Sequence, residues 1–381
     1  MKIAIISCYF TNNYGSILQA FATENYFKNK GIECNTIATE GIRPFLLKEK
    51  KKYYLKNLYR ISLLSSKYPQ AKLAILRKIL PSEKVSFRSR LKRMNNFRKK
   101  FSFVGKEATS LKELSEIVKD YDIAVLGGDQ LWRPDNILPG YYTLEWVSDN
   151  VKKVSFATSF GVSHLDNKSK EIAKRFLKRF SAISVRENTA CDMIKEITGQ
   201  DAIQVCDPVF LISADEWGKI AESSYSPTGG YIFSYFLGNK KWHRKYVEKI
   251  SQKTGLPVLG ISCLDSYLPM DKKVDIDFPD ASPEQFLGLI KNARYVCTDS
   301  FHVTAFAAMF HRDFSVFKRH SGKKHATNGR LESFLRTLSL EERCVENIDD
   351  ICCDAIDYSE IDSKINNLTQ KSKEFIENFL K

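Results

Sequence analysis

The sequence lacks any stretch of about 18 consecutive apolar residues among its 381, so a membrane-spanning helix is not expected. Its first apolar run, Ile3 to Phe10, ends at Thr11-Asn12-Asn13 without a small-residue cleavage pattern, and reads as a buried strand instead of a secretory signal. Cys-x-x-Cys is absent, and the six histidines lack zinc-ligand spacing. The nine cysteines are an odd number, and Cys8, Cys34, Cys206, Cys263 and Cys297 fall in apolar runs where a thiol behaves as a small hydrophobe. The vicinal pair Cys352-Cys353 suits neither a structural zinc site nor an ordinary disulfide. Metal and redox roles are therefore set aside, no cofactor is expected, and the expected location is cytoplasmic.

Acid is scarce in one place. Between Arg43 and Lys100 only Glu49 and Glu83 oppose 19 Lys and Arg, a surplus of +17 that leaves the rest of the chain at −3 within the total of +14. Leu46, Leu47, Leu55, Leu58, Ile61, Leu63 and Leu64, then Leu73, Ile75, Leu76 and Ile79, give this segment an apolar stripe. A cationic face with such a stripe suits an anionic membrane surface. The competing reading is an inserted helical hairpin whose charges are simply solvated while its apolar side packs on the body. No helix-turn-helix, zinc-finger or aromatic RNA-binding signature accompanies the charge, so nucleic acid is not an expected partner.

Short apolar runs alternate with stretches of helical period, the pattern of α/β units around parallel sheets. Strands are expected at 2–10, 34–39, 123–126, 154–158, 182–185 and 202–205, with helices at 15–30, 168–179 and 188–198. After Gly229-Gly230 a second series follows, with strands at 231–236, 258–261 and 295–298 and helices at 242–254, 283–292 and 301–309. The expected fold is α/β, with two Rossmann-like domains facing a cleft. The first covers 1–210, with the basic helical insert at about 43–100, and the second covers 225–381 with a C-terminal helix. Ligands of such sheets bind at the carboxyl ends of the strands.

Five segments at those ends carry candidate chemistry. Asn13-Tyr14-Gly15-Ser16 opens the first helix, where Gly15 permits close backbone approach and the helix N-terminus attracts an anion; Ser16 as a plain cap is the alternative. There is no Gly-x-Gly-x-x-Gly fingerprint here. Gly127-Gly128-Asp129-Gln130-Leu131-Trp132 places an acid after a strand: Asp129 either takes a proton from a hydroxyl or caps the next helix, while Gln130 and Trp132 offer a surface for a sugar ring. Arg186 can bind a carboxylate or phosphate bidentately, or form a structural bridge with Glu187 or a neighbouring acid. Asp207 precedes Pro208 and is either a turn residue or a ligand contact. Finally Thr298-Asp299-Ser300-Phe301-His302 runs into a helix whose first turn holds His302, a candidate general acid or base, or a packed core histidine. Lys323, Lys324 and Arg330 follow as loop cations able to close over an anion.

Taken in order, Asn13 to Gln19, Gly127 to Trp132, Ser184 to Glu187, Asp207 to Phe210, Thr298 to His302, and Arg330 with the Leu-rich helix after it resemble the polysaccharide pyruvyl transferase family, over about residues 3 to 345. The resemblance implies a GT-B-like fold and transfer of the enolpyruvyl group of phosphoenolpyruvate to two hydroxyls of a sugar, forming a cyclic ketal in a surface or capsular polysaccharide precursor. Many members carry Arg-Leu or Arg-Phe before the histidine, where this chain has Ser300-Phe301. Arg186, Lys324 and Arg330 are therefore the expected grip on phosphoenolpyruvate, His302 the proton donor and Asp129 the base or positioning carboxylate. Asn13, Tyr14, Gly15, Ser16, Gly128, Gln130, Trp132, Asp207 and Ser300 complete the expected substrate site. The acceptor is expected on a lipid carrier at the inner membrane face. A GT-B glycosyltransferase using a nucleotide sugar is the alternative function, and a non-catalytic basic scaffold is a third.

Overall fold

The structure, a computed structural model, describes residues 1–56, 81–222, 227–263, 271, 274–319 and 329–381. Its strands form where β-rich apolar runs can be covered on both faces, as parallel sheets require. Seven belong to the first sheet: β1 (Lys2–Ile6), β2 (Glu33–Ile37), β3 (Phe103–Val104), β4 (Ile123–Leu126), β5 (Lys152–Thr158), β6 (Ala182–Val185) and β7 (Ile203–Gln204). Their order is β3-β2-β1-β4-β5-β6-β7, every neighbour parallel. The second sheet holds β8 (Ile232–Tyr235), β9 (Val258–Gly260), β10 (Ile276–Asp277), β11 (Tyr295–Thr298), β12 (Asp313–Phe317) and β13 (Cys344–Val345). It is again all parallel, in the order β10-β9-β8-β11-β12-β13. The strand order reverses between β1 and β4 and between β8 and β11, and those two switch points open the crevices where ligands of such sheets sit.

The helices that follow β1 and β11 are the most deeply buried. Tyr14–Asn29 is buried without a break from Tyr14 to Ala20, and all nine residues of Phe301–Met309 are buried. Their first turns meet where Gly15 lies against His302. One apolar cluster runs continuously through both halves, joining Ile3, Tyr14 and Phe156 to Phe233, Phe286 and Phe306. Tyr14 stacks on Phe286 at 4.1 Å between ring centroids and donates its hydroxyl to the Ala281 carbonyl at 2.6 Å.

The last helix, Tyr358–Leu380, crosses from the second half to the first. Near its start Tyr358 donates to the Arg312 carbonyl. Near its end Phe375 and Phe379 pack against Phe156 and Phe27, and Ser372 Oγ accepts the Cys206 N–H at 2.8 Å.

The basic insert is two different things. Helix Arg43–Lys56 has no buried residue, with Phe45, Leu47 and Leu55 exposed. Helix Pro81–Arg98, by contrast, buries Arg90, Met94 and Phe97, and Arg90 donates to the carbonyls of Ser262 and Pro279 in the second half. Of the two readings of 43–100, the second helix follows the packed hairpin, its apolar side on the core, but its cations are not merely solvated because Arg90 finds carbonyls. Residues 57–80 lie outside the described residues. No helix among the described residues is long and apolar enough to cross a membrane.

Candidate active site

The site is built on the switch point between β1 and β4. Asp129 follows Gly127-Gly128 at the end of β4 with a left-handed backbone, φ 82°, a conformation that carries strain for any residue with a Cβ. It is held there by its own carbonyl, which accepts from Leu131 and Ser159. Its Oδ2 accepts from Ser16 Oγ at 2.5 Å, and its Oδ1 receives the Gln130 N–H at 2.8 Å and Arg330 Nη1 at 3.2 Å. Burial works against the Asp129 charge, but Arg186, Arg330 and His302 outweigh it, and the carboxyl is held well below the usual carboxylate range.

Arg186 leaves β6 fully buried, its Nε on the Ala157 carbonyl at 2.9 Å and its Nη1 2.7 Å from Asp207 Oδ2. Asp207 is itself fully buried, its Oδ1 accepting the Val209 N–H, and Arg186 and His302 hold its carboxyl low against the burial. His302 Nε2 lies 3.4 Å from Asp207 Oδ2. On its other side His302 presses on Gly15, where an added Cβ would lie 2.1 Å from Nδ1. Gly128 serves the same purpose for Arg186, since a Cβ there would lie 2.6 Å from Nη2.

The structure thus brings together Ser16, Asp129, Arg186, Asp207, His302 and Arg330, drawn from both sheets. Gly15 and Gly128 provide the clearance between them. Asn13 caps the first helix, accepting the Ser16 N–H at 3.3 Å, and Ser300 occupies the corresponding position before helix Phe301–Met309. Gln130 folds over Gly161. Two expectations are overturned. Trp132 has no exposed surface: it packs among Phe160, Phe176 and Phe180 and donates its indole N–H to the Tyr142 carbonyl, because the chain turns inward after Asp129. Tyr14 is consumed by the Phe286 stack and the Ala281 hydrogen bond, so it joins the two halves and does not face a ligand. Lys323 and Lys324 lie outside the described residues.

Three further residues belong to the site. Phe301 lies between two guanidinium groups, with Arg186 at 5.6 Å and Arg330 at 5.8 Å from its ring centroid. Glu187 is buried with Oε1 on Ser159 and Oε2 unpartnered, and burial pushes its carboxyl up. Gln19 donates to the Ser16 carbonyl while its own carbonyl oxygen is left unpartnered. Glu187 stood beside Arg186 in the sequence, and Phe301 beside His302, so adjacency was the available signal; Gln19 lay inside the first motif. Buried polar atoms without a partner gather here: Gln19 Oε1, Arg186 Nη2, Glu187 Oε2 and Arg330 Nε. Native folds leave such groups unpaired where a ligand or water completes them.

The model of one protein family, polysaccharide pyruvyl transferase, matches residues 13–321. The chain belongs to that family. Its match begins at the cap of the first helix and takes in Asp129, Arg186, Asp207 and His302, leaving Arg330 and the last helix outside. A polysaccharide pyruvyl transferase of this family is a transferase that acts in polysaccharide biosynthesis, with a polysaccharide acceptor implied. No curated protein matches the sequence.

Among solved structures, the UDP-GlcNAc 2-epimerase of Neisseria meningitidis, bound to UDP-GlcNAc, is similar over 100% of both chains at 12% identity and a TM-score of 0.50. A putative UDP-N-acetylglucosamine 2-epimerase from Listeria monocytogenes is similar over 97% of this chain and 91% of its own, at 10% identity and a TM-score of 0.51. At such identities the likeness is one of fold: this pyruvyl transferase family member has the GT-B arrangement of two Rossmann-like domains.

Proposed function

We propose that the protein transfers the enolpyruvyl group of phosphoenolpyruvate to two hydroxyls of a sugar in a surface polysaccharide precursor, forming a pyruvate ketal and releasing phosphate. What supports this beyond family membership is one feature of the site: two buried guanidinium groups, Arg186 and Arg330, flank the Phe301 ring next to His302, and Arg186 Nη2 and Arg330 Nε have no hydrogen-bond partner. A compact anion of several charges would satisfy them.

In the proposed reaction Arg186 and Arg330 hold the phosphate and carboxylate, Arg330 exchanging its contact with Asp129 for the ligand. His302 gives a proton to the methylene carbon, which becomes a methyl group. The first sugar hydroxyl, held by Asp129, adds to the neighbouring carbon and gives up its proton. Phosphate then leaves that carbon, and the second hydroxyl closes the ring with loss of its own proton. Asp129, being held strongly ionised, acts more as a positioning carboxylate than as a strong base. The acceptor sugar is carried on a lipid, and helix Arg43–Lys56 meets the anionic membrane surface through Phe45, Leu47 and Leu55 and the lysines around them.

Thermal melts test the donor. Phosphoenolpyruvate at about 100 times its dissociation constant stabilises by about 2.7 kcal/mol. That gain is expected in the wild type and lost in Arg330→Ala. Stabilisation by UDP- or GDP-sugars with none from phosphoenolpyruvate would instead identify a GT-B glycosyltransferase.

A further inference from the structure

A second concave site lies on the same carboxyl edge of the first sheet, on the far side of β1 from Asp129. It is a cleft of about 490 Å³ at the ends of β1, β2 and β3, a size ordinary for a small-molecule site. Arg43, Arg98, Lys99 and Lys106 line it, with Glu40 the acid among its lining residues. The Glu40 carboxylate is already engaged, accepting from the Tyr9 hydroxyl at 2.9 Å and the Thr39 N–H at 3.0 Å. Four cations thus face one carboxylate, and the cleft lining carries a net surplus of positive charge. Like charges gathered in a concavity repel one another and are relieved by a bound anion.

The cations are held on a rigid aromatic wall. Tyr9, Phe101 and Phe103 pack together, with Tyr9 and Phe103 4.7 Å apart and Phe101 stacked on Phe103 at 5.5 Å. Arg43 lies over the Phe10 ring at 6.0 Å and Lys106 over Phe103 at 5.4 Å. Arg98 organises the rim, its guanidinium donating to the carbonyls of Tyr9 at 3.1 Å and Thr11 at 2.6 Å. The loop so held is the one that separates the cleft from the active site. Cys8 touches Asp129, Sγ to Oδ2 3.5 Å, and the next residue, Tyr9, lines the cleft.

We propose that this cleft binds the phosphate or diphosphate of a glycosyl phosphate acceptor, placing the attached sugar across the loop beside Asp129. The inference rests on the reading that the acceptor is a sugar and deepens it to a phosphorylated one. Arg43 and Lys106 bind the phosphate oxygens, and Arg98 positions the loop without touching the ligand. Free sugar phosphates and carrier-borne diphosphates share this chemistry.

Calorimetric titration with inorganic pyrophosphate, and separately with phosphoenolpyruvate, tests the proposal. In Arg43→Ala/Lys106→Ala, both surface changes, pyrophosphate binding is expected to weaken by at least about tenfold, as loss of charge-assisted hydrogen bonds implies, with phosphoenolpyruvate binding unchanged. Arg330→Ala is expected to do the reverse. Unchanged pyrophosphate binding in the double variant overturns the proposal, and so does a parallel loss of both ligands, which would mean a single anion site. If pyrophosphate binding depends on Arg43 and Lys106 while wild-type protein ignores phosphoenolpyruvate, the cleft stands and the donor assignment falls. Competition against pyrophosphate then separates the sources. Displacement by phosphatidylcholine vesicles carrying a polyprenyl diphosphate, but not by plain vesicles, indicates a carrier-borne acceptor; displacement by glucose 1-phosphate indicates a free one; displacement by neither overturns the assignment to a glycosyl phosphate.

Discussion

Gly15 leaves His302 its place: with a Cβ 2.1 Å from Nδ1, Gly15→Ala must push the imidazole away from Asp207. Displacement of a proton donor by about an ångström is expected to lower turnover on the order of 10²-fold, with folding retained, which steady-state rates and a melt of the same variant would check. His243 presents the opposite case. It is buried among Phe236, Trp242 and Phe317 with both ring nitrogens unpartnered, and burial first, then Arg244, Lys240 and Arg319, lower it to about 3. An unfolded histidine titrates near 6.5, so the neutral ring contributes stability that is full above that pH and is lost as pH falls towards 3. His243→Phe should therefore raise the melting temperature, by more at about pH 5 than at about pH 8. At this scale the sequence was partly legible. Asp129, Arg186 and His302 stood out because reactive side chains at strand ends have few other places to point. Trp132 and Tyr14 were misread because adjacency to a motif says nothing about which way a ring turns, and that depends on the chain reversal after Asp129 and on the facing Phe286.

Helix Tyr358–Leu380 reaches the active site without touching a ligand. Its Ser372 hydroxyl takes the Cys206 N–H at 2.8 Å, and the following residue is Asp207, the partner of Arg186 and His302. Ser372→Ala leaves a buried amide unpaired and is expected to destabilise by about 1–3 kcal/mol, with a fall in turnover beyond what unfolding accounts for; urea titration and kinetics on the same sample would show it. The elements most readable from sequence were those whose pattern is local. The strands at 123–126, 182–185 and 295–298 appear as expected because each is a short run rich in apolar residues, broken only by Ser184 and Thr298, and 301–309 because it is helical and wholly buried. The two-residue strands β3, β10 and β13 left no such pattern, since their identity lies in the neighbour they pair with. Helices Arg43–Lys56 and Pro81–Arg98 share one basic composition yet end in opposite environments. That difference comes from the carbonyls of Ser262 and Pro279, which no local window contains.

For the molecule as a whole, charge and shape make separate predictions. Lys48, Lys51 and Lys56 are exposed on the helix with no buried residue. Their combined replacement by Glu should abolish sedimentation with vesicles rich in anionic lipid, while the melting temperature stays within a degree or two of wild type. The two halves are joined by Tyr14 on Phe286, by the last helix, and by Arg90, whose guanidinium lies buried between the carbonyls of Pro279 at 2.5 Å and Ser262 at 2.6 Å. Swinging the sheets apart would break both of these charge-assisted hydrogen bonds at once, each worth about 1.5–3 kcal/mol. The two halves are therefore pinned to each other at the insert as well as at the core. That pin opposes a wide hinge motion, and the radius of gyration in solution is expected to stay the same before and after phosphoenolpyruvate binds.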